Sequence, residues 1–199
     1  MILWTIQPSC VYRSLQERGS LHVDPELWTD MDPSWEAAYR WMMQQMARRI
    51  PGFRGHYPWW AWRQWALDRP RPDLRNVRTY RSGSNVLLKL DVPDQEVLLS
   101  DYNAWHAVLN VWPIADTEAE YEILEQEILD RQQTSRPFDE ELDRKIQKSW
   151  ERIFDLDGLK THWMYPEGSV QACFETLRIE DVRHAQFFEG AARKRLRQT

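Results

Sequence analysis

The chain is poor in cysteine and glycine and has no long apolar run, and each shortage excludes something. Cys10 and Cys173 are the two cysteines among 199 residues. They show no paired spacing, so neither a disulfide framework nor a thiolate zinc site is signalled, and a reducing compartment is expected. No stretch approaches the ~20 apolar residues that a membrane span requires, and residues 1–5 carry no basic region before an apolar run. The expectation is a cytoplasmic protein without a membrane partner. Among motifs, the chain lacks a Gly-rich phosphate loop, a dinucleotide fingerprint, a nucleophile elbow and a helical His-Glu-x-x-His pair, which removes several large enzyme classes. The histidines, His22, His56, His106, His162 and His184, are scattered. No two share a helical face, so no metal site is expected. Cationic excess is also missing: the net charge is -5, which speaks against general affinity for phosphate backbones and leaves room only for a local basic patch.

What the chain does have is ordinary globular content with one exception. Hydrophobic residues make up 42% and charged residues 29%, far from the composition of disorder. A chain of this length buries roughly 70% of its unfolded surface and suits one domain over residues 1–199. The exception is 12 tryptophans, large rings that must fill a core, a pocket or an interface.

Periodicity and punctuation divide the chain. Residues 2–7 read as a strand stopped at Pro8, followed by a helix on which Val11, Tyr12 and Leu15 share a face and which Gly19 ends. Asp32-Pro33 opens a second helix with Trp35, Tyr39, Met42, Met46 and Ile50 at helical spacing, ended by Pro51. Residues 57–65 form an aromatic strand that Pro58 confines to an edge or a strand start. A turn-rich stretch over 69–85 leads to a half-buried strand at 86–92, and a second strand at 96–100 follows Pro93-Asp94.

Asp101 caps a short helix through Asn110, and Thr117 with Glu120 opens another that turns Tyr121, Leu124 and Ile128 inward. After a break at Thr134-Ser135-Arg136-Pro137, a helix over 139–154 carries Leu142, Ile146, Trp150 and Ile153. The two helices make a hairpin inserted at about 116–155, with an acidic, solvated outer face. A loop at 155–169 enters a strand at 170–178, with which a last strand at 183–188 pairs. A basic, frayed tail occupies about 190–199.

Two segments could carry chemistry. Trp59, Trp60, Trp62 and Trp65 could stack a base, a nicotinamide ring or a sugar. On a strand, however, Trp60 and Trp62 face one way and Trp59 the other, so at least one set belongs to the core. In the stretch from Glu167 to Glu175, a loop delivers polar groups onto a strand, and Gln171 and Glu175 share a face. Their plain alternative is an ordinary exposed position.

The segments Leu3-Trp4-Thr5-Ile6-Gln7, Trp62-Arg63-Gln64-Trp65, Val97-Leu98-Leu99-Ser100-Asp101 with Trp105-His106, Ser149-Trp150-Glu151-Arg152-Ile153-Phe154 and Val170-Gln171-Ala172 together resemble an uncharacterised bacterial family, domain of unknown function thirty-eight forty-one. The resemblance spans nearly the whole chain and implies no activity. More distantly, the order of elements is similar to the ADP-ribosyltransferase superfamily. That likeness implies an α+β fold with a small split sheet, mixed or antiparallel, flanked by helices and carrying the hairpin as an insertion.

In that superfamily a polar residue on the first strand holds NAD, aromatics stack on nicotinamide, and a carboxylate on a late strand stabilises the cationic transition state. By position, the resemblance implies Thr5 or Gln7, Tyr57 or Trp62, and Gln171 for these roles, with NAD as substrate and ADP-ribose passed to a protein or nucleic-acid acceptor. The chain departs from the pattern twice: its first strand lacks the customary Arg or His, and Gln171 stands where Glu is typical. Glu167 or Glu175 is the expected substitute. The alternative is a non-catalytic module of the same fold that binds a nucleotide, a nucleic acid or a protein.

Overall fold

In the computed structural model, residues 1–24, 35–66, 69–75, 80–133, 140–165 and 168–191 are described. The first strand, β1 (Ile2–Pro8), ends where Pro8 begins α1 (Ser9–Arg18), and Gly19 closes that helix at φ 79°. A short β2 (Ser20–Leu21) precedes α2 (Glu36–Arg49), whose expected opening at Asp32-Pro33 lies outside the described residues. Then come β3 (Trp59–Gln64), β4 (Gly83–Asp91), β5 (Leu98–Asp101) and α3 (Tyr102–Leu109). The hairpin helices are α4 (Glu118–Gln133) and α5 (Glu140–Ser149), with the break between them outside the described residues. A short α6 (Leu156–Leu159) leads to β6 (Val170–Phe174), β7 (Leu177–Arg178) and β8 (Val182–Gly190). The expected basic tail falls outside the described residues from 192 on.

The fold is α+β. Six strands form a sheet in the order β5-β6-β3-β1-β4-β8, with β2 and β7 as a separate ribbon. Neighbouring strands of the sheet run antiparallel. The aromatic strand β3 is central, and Pro58 stands just before its first ladder residue, at the strand start that is one of its two expected places, where a missing N–H costs no ladder bond. After Pro93, a 3₁₀ turn at Asp94–Glu96 starts a crossover that puts three strands between β4 and β5. The last strand pairs with β4 rather than with β6, because both edges of β6 are taken by β3 and β5.

Each face of the sheet has its own cover. On one, α2, α3 and the hairpin bury Trp41, Met46, Trp105, Leu124, Ile146 and Trp150 against Trp60, Leu98 and Cys173. On the other, α1 brings Leu15 onto Leu3, Ala61, Val86, Leu88 and Ala172. Burying an aliphatic side chain of this size contributes about 1.5–3 kcal/mol. Leu87 points away from Leu88 and is also 0% exposed, so the middle of β4 is buried on both faces, while Lys89 and Asp91 beyond it stay half-buried.

The expected helix over 139–154 tightens to a 3₁₀ turn from Trp150. There the Ser149 hydroxyl donates to Ile146 O at 2.6 Å and accepts from Ile114 N at 3.0 Å, drawing the last turn inward. Likewise the strand expected over 170–178 breaks after Phe174, and Leu177–Arg178 leaves to pair with Ser20–Leu21. Among the described residues no helix is long and apolar enough to cross a membrane.

The loop entering β6 is held by Tyr102 N–H, which donates to Ser169 O at 2.8 Å, and by Gly168, where an added Cβ would lie 1.5 Å from Asp101 Oδ2. Asp101 itself caps α3 by accepting from Ala104 N at 2.8 Å. Gly168→Ala must therefore displace the cap, and urea unfolding should show a loss of about 1–3 kcal/mol. Asp101→Ala alone should cost about 1 kcal/mol, and the double variant less than the sum because the two share one contact.

Candidate functional site

The sheet is thinnest between β1 and β3, whose ladder registers at one residue pair, Trp4 opposite Trp62. By comparison, β1 pairs with β4 along its whole length from Ile2 to Pro8. Past Trp4, side chains do what a backbone ladder would do: the Thr5 hydroxyl donates to Trp60 O at 2.8 Å, and Gln7 Nε2 donates to Thr5 Oγ1 at 2.8 Å. Beside this seam lies a cleft of about 1090 Å³, the size of a large small-molecule site.

Its walls are aromatic. Tyr39 from α2 meets Trp60 edge-on at 6.1 Å and Trp105 of α3 edge-on at 5.7 Å, while Trp60 and Trp105 approach to 5.1 Å. Nearer the mouth, Trp62 contacts Trp65 at 4.6 Å and Tyr102 at 4.7 Å. These rings come from α2, α3, β3 and the residue just past it, and their geometries are tilted or edge-on rather than face-to-face. Burial, with a smaller effect from Cys173, pushes the Tyr39 phenol up to about 12. The buried Trp60 indole N–H has no well-formed hydrogen bond, and it opposes that rise slightly from beside the Tyr39 hydroxyl.

The deep end is polar but uncharged. Gln171 is 5% exposed and stands opposite Trp62 on one side and Ser100 on the other. Its Nε2 donates to Ser100 Oγ at 3.2 Å. Cys173, on the same face, is fully buried, and burial raises its thiol pKa, so it remains a protonated core residue.

Of the residues expected from sequence, Thr5, Gln7, Trp62 and Gln171 all line this one cleft. Tyr57 stands behind the wall, 6.2 Å from the Tyr39 ring, and is not part of the lining. Glu175 lies just past the end of β6, away from the lining. Its carboxylate accepts N–H bonds from Arg54, at 2.9 and 3.0 Å, and from His56, at 2.9 Å, an anchoring role for the 54–56 loop. Glu167 lies outside the described residues.

Sequence reasoning missed Arg18 and Arg81. Both line the cleft, and neither side chain has a carboxylate partner among the described residues. Arg18 is in the last turn of α1, and Arg81 precedes β4, where Asn85 Nδ2 donates to its carbonyl at 2.7 Å. Sixty-odd residues apart in the chain, they carried no local signal of a shared site. His22, also in the lining, stacks on His56 at 3.9 Å. Burial and that neighbour lower its pKa. Asp24 is the one carboxylate among the described lining residues. The arrangement suits a planar ring between aromatics, an amide read by amides, and an anion held by guanidinium groups.

A family model described as a domain of unknown function (DUF3841) matches residues 2–183, from the start of β1 into β8. No curated protein and no solved structure matches the chain significantly.

The Tyr39 shift has a pH consequence. The unfolded chain loses a phenolic proton near pH ~10, before the folded one does. The contribution of Tyr39 is thus complete below that pH and is lost as pH rises toward about 12. Urea midpoints measured from about pH 9 to pH 11 should fall less steeply in Tyr39→Phe than in the parent.

Proposed function

From the premise that this chain belongs to the DUF3841 family, we propose that its cleft binds NAD or a closely related nucleotide in an ADP-ribosyltransferase-like manner. The observation that carries the reading is convergence: Thr5, Gln7, Trp62 and Gln171, on three different strands, line a single cleft at the seam between β1 and β3. A nicotinamide or nucleobase ring stacks among Trp62, Tyr102 and Trp60. Its amide is read by Gln171, while the Thr5–Gln7 pair, which the alternation of β1 turns toward α1, meets the ribose, and its phosphates reach Arg18 and Arg81.

Gln171 tips this reading from transfer toward binding. Gln can donate to and accept from a ribose or carboxamide, but it carries no charge to oppose an oxocarbenium ion. One such lost contact costs ~3 kcal/mol, about a hundredfold in rate. Its cross-strand neighbours, Trp62 and Ser100, are uncharged as well. The protein is thus read as a nucleotide-binding module whose transfer of ADP-ribose to an acceptor is slow or absent.

Calorimetric titration with NAD, with mass spectrometry of nicotinamide on the same sample, tests this. Saturable binding with little release is expected, weakened about tenfold or more in Trp62→Ala and in Gln171→Ala, since one stacked ring contributes ~1–3 kcal/mol. Enzymic release of nicotinamide by the parent would replace the binding reading with the transferase one. Absence of binding at millimolar NAD would end the nucleotide reading.

A further inference from the structure

The strand registers place six side chains in one row straight across the sheet. Reading from one edge, His184 is opposite Lys89, Lys89 opposite Trp4, Trp4 opposite Trp62, Trp62 opposite Gln171, and Gln171 opposite Ser100. Residues opposite one another in an antiparallel sheet share a face, so the six form one continuous line. None is aliphatic. The next row on the same face, Gln186, Leu87, Ile6, Trp60, Cys173 and Leu98, is mostly apolar and feeds the core under α2 and α3.

The two ends of the polar row differ. Gln171, which lines the cleft, and Ser100 beside it are buried, whereas Trp4, Lys89 and Trp62 are half-buried and His184 is exposed. Positive charge gathers at the open end. The Arg71 guanidinium lies 5.5 Å and the Lys89 ammonium 5.9 Å from the Trp4 ring centre. Arg71 also donates to Gln186 of β8, and neither cation has a carboxylate partner among the described residues. Arg69 and Arg75 flank Arg71 and share one carboxylate, Asp73. Two residues along β4 from Lys89, Asp91 is already matched by the amino terminus and Arg183. The acidic hairpin packs at the opposite end, over Leu98 and Cys173.

We propose that the open end of this row, with Arg71, is a binding surface for single-stranded nucleic acid that leads toward the cleft. From His184 to Trp62 it crosses four strands, roughly 14 Å at the usual strand spacing. It sets the Lys89 and Arg71 charges beside the flat rings of Trp4 and Trp62, the combination that tracks a phosphate backbone while stacking unpaired bases. A duplex would offer phosphates but no free base faces, so the surface selects single strands. This surface stands on the row and its charges, and does not depend on NAD occupying the cleft.

The test is fluorescence anisotropy of a labelled mixed-sequence single strand with the full chain over a salt series, with an unlabelled duplex and polyglutamate as competitors. Phosphate contacts at Arg71 and Lys89 predict a slope of log affinity against log salt of about -1.4. Lys89→Gln should reduce that slope by about 0.7. Trp4→Leu should weaken binding with the slope unchanged, and Arg71→Glu should weaken it by about tenfold or more. Calorimetry with NAD and circular dichroism on the same variants separate the row from the cleft and from misfolding. Absence of binding at low salt, equal affinity for the duplex, displacement by polyglutamate as effective as by nucleic acid, or unchanged affinity in both Arg71→Glu and Arg71→Gln would overturn the proposal.

Discussion

The contact on which the rest of the structure depends is the seam at Trp4 and Trp62. On one side lie β5, β6 and β3; on the other lie β1, β4 and β8, and the core under α1 spans both. A single registered pair joins the halves, reinforced by the Thr5 hydroxyl on Trp60 O. A full ladder there would have closed the sheet and left no cleft. Because the strands share so little, the backbone around Thr5 and Trp60 relies on side chains for its hydrogen bonds. Those same side chains are left facing a large aromatic space.

The seam also organises polarity. The buried end of the transverse row holds neutral groups, Gln171 and Ser100, which hydrogen-bond each other and so avoid the cost of unpaired polar atoms in a dry setting. The open end holds Lys89 and His184, where water can solvate charge. Gln171 rather than a carboxylate suits this gradient, because an ion 5% exposed beside Trp62 would need a cation that the described neighbours do not supply. The net charge of -5 conceals the arrangement, since acidic residues concentrate on the hairpin and basic ones around Arg71.

Much of the element list was legible in sequence because local chemistry produces it. Pro8 and Gly19 delimit α1, Asp101 caps α3, and the Thr117 hydroxyl receives Glu120 N–H at 3.1 Å as the capping pattern implied. Pairing was less legible. Nothing in 183–188 distinguishes an edge of β4 from an edge of β6, and the choice went to the strand with an edge still open. Within the site, Thr5, Gln7, Trp62 and Gln171 were reached through resemblance and turned out to share one cleft, while Glu175 spends its carboxylate on backbone N–H groups of a loop 119–121 residues earlier in the chain. Arg18 and Arg81 were invisible for the opposite reason, having ordinary surroundings in sequence and a common cleft only in space.

By itself the sequence determined the α+β content, the apolar faces of α2, α4 and α5, the caps and breaks, and membership of its family, because each depends on residues within a few positions of one another or on a pattern held along the chain. Tertiary structure alone decided which strands became neighbours, that β3 is central, that one residue pair holds the two halves of the sheet, and that six side chains from six strands stand in a row. Those outcomes are contacts between residues up to 115 positions apart in the sheet, such as Trp59 with Phe174, Trp62 with Gln171 and Trp4 with Lys89. They are selected by which faces and edges remain to be buried or paired once the local elements exist, and no window of sequence contains that competition.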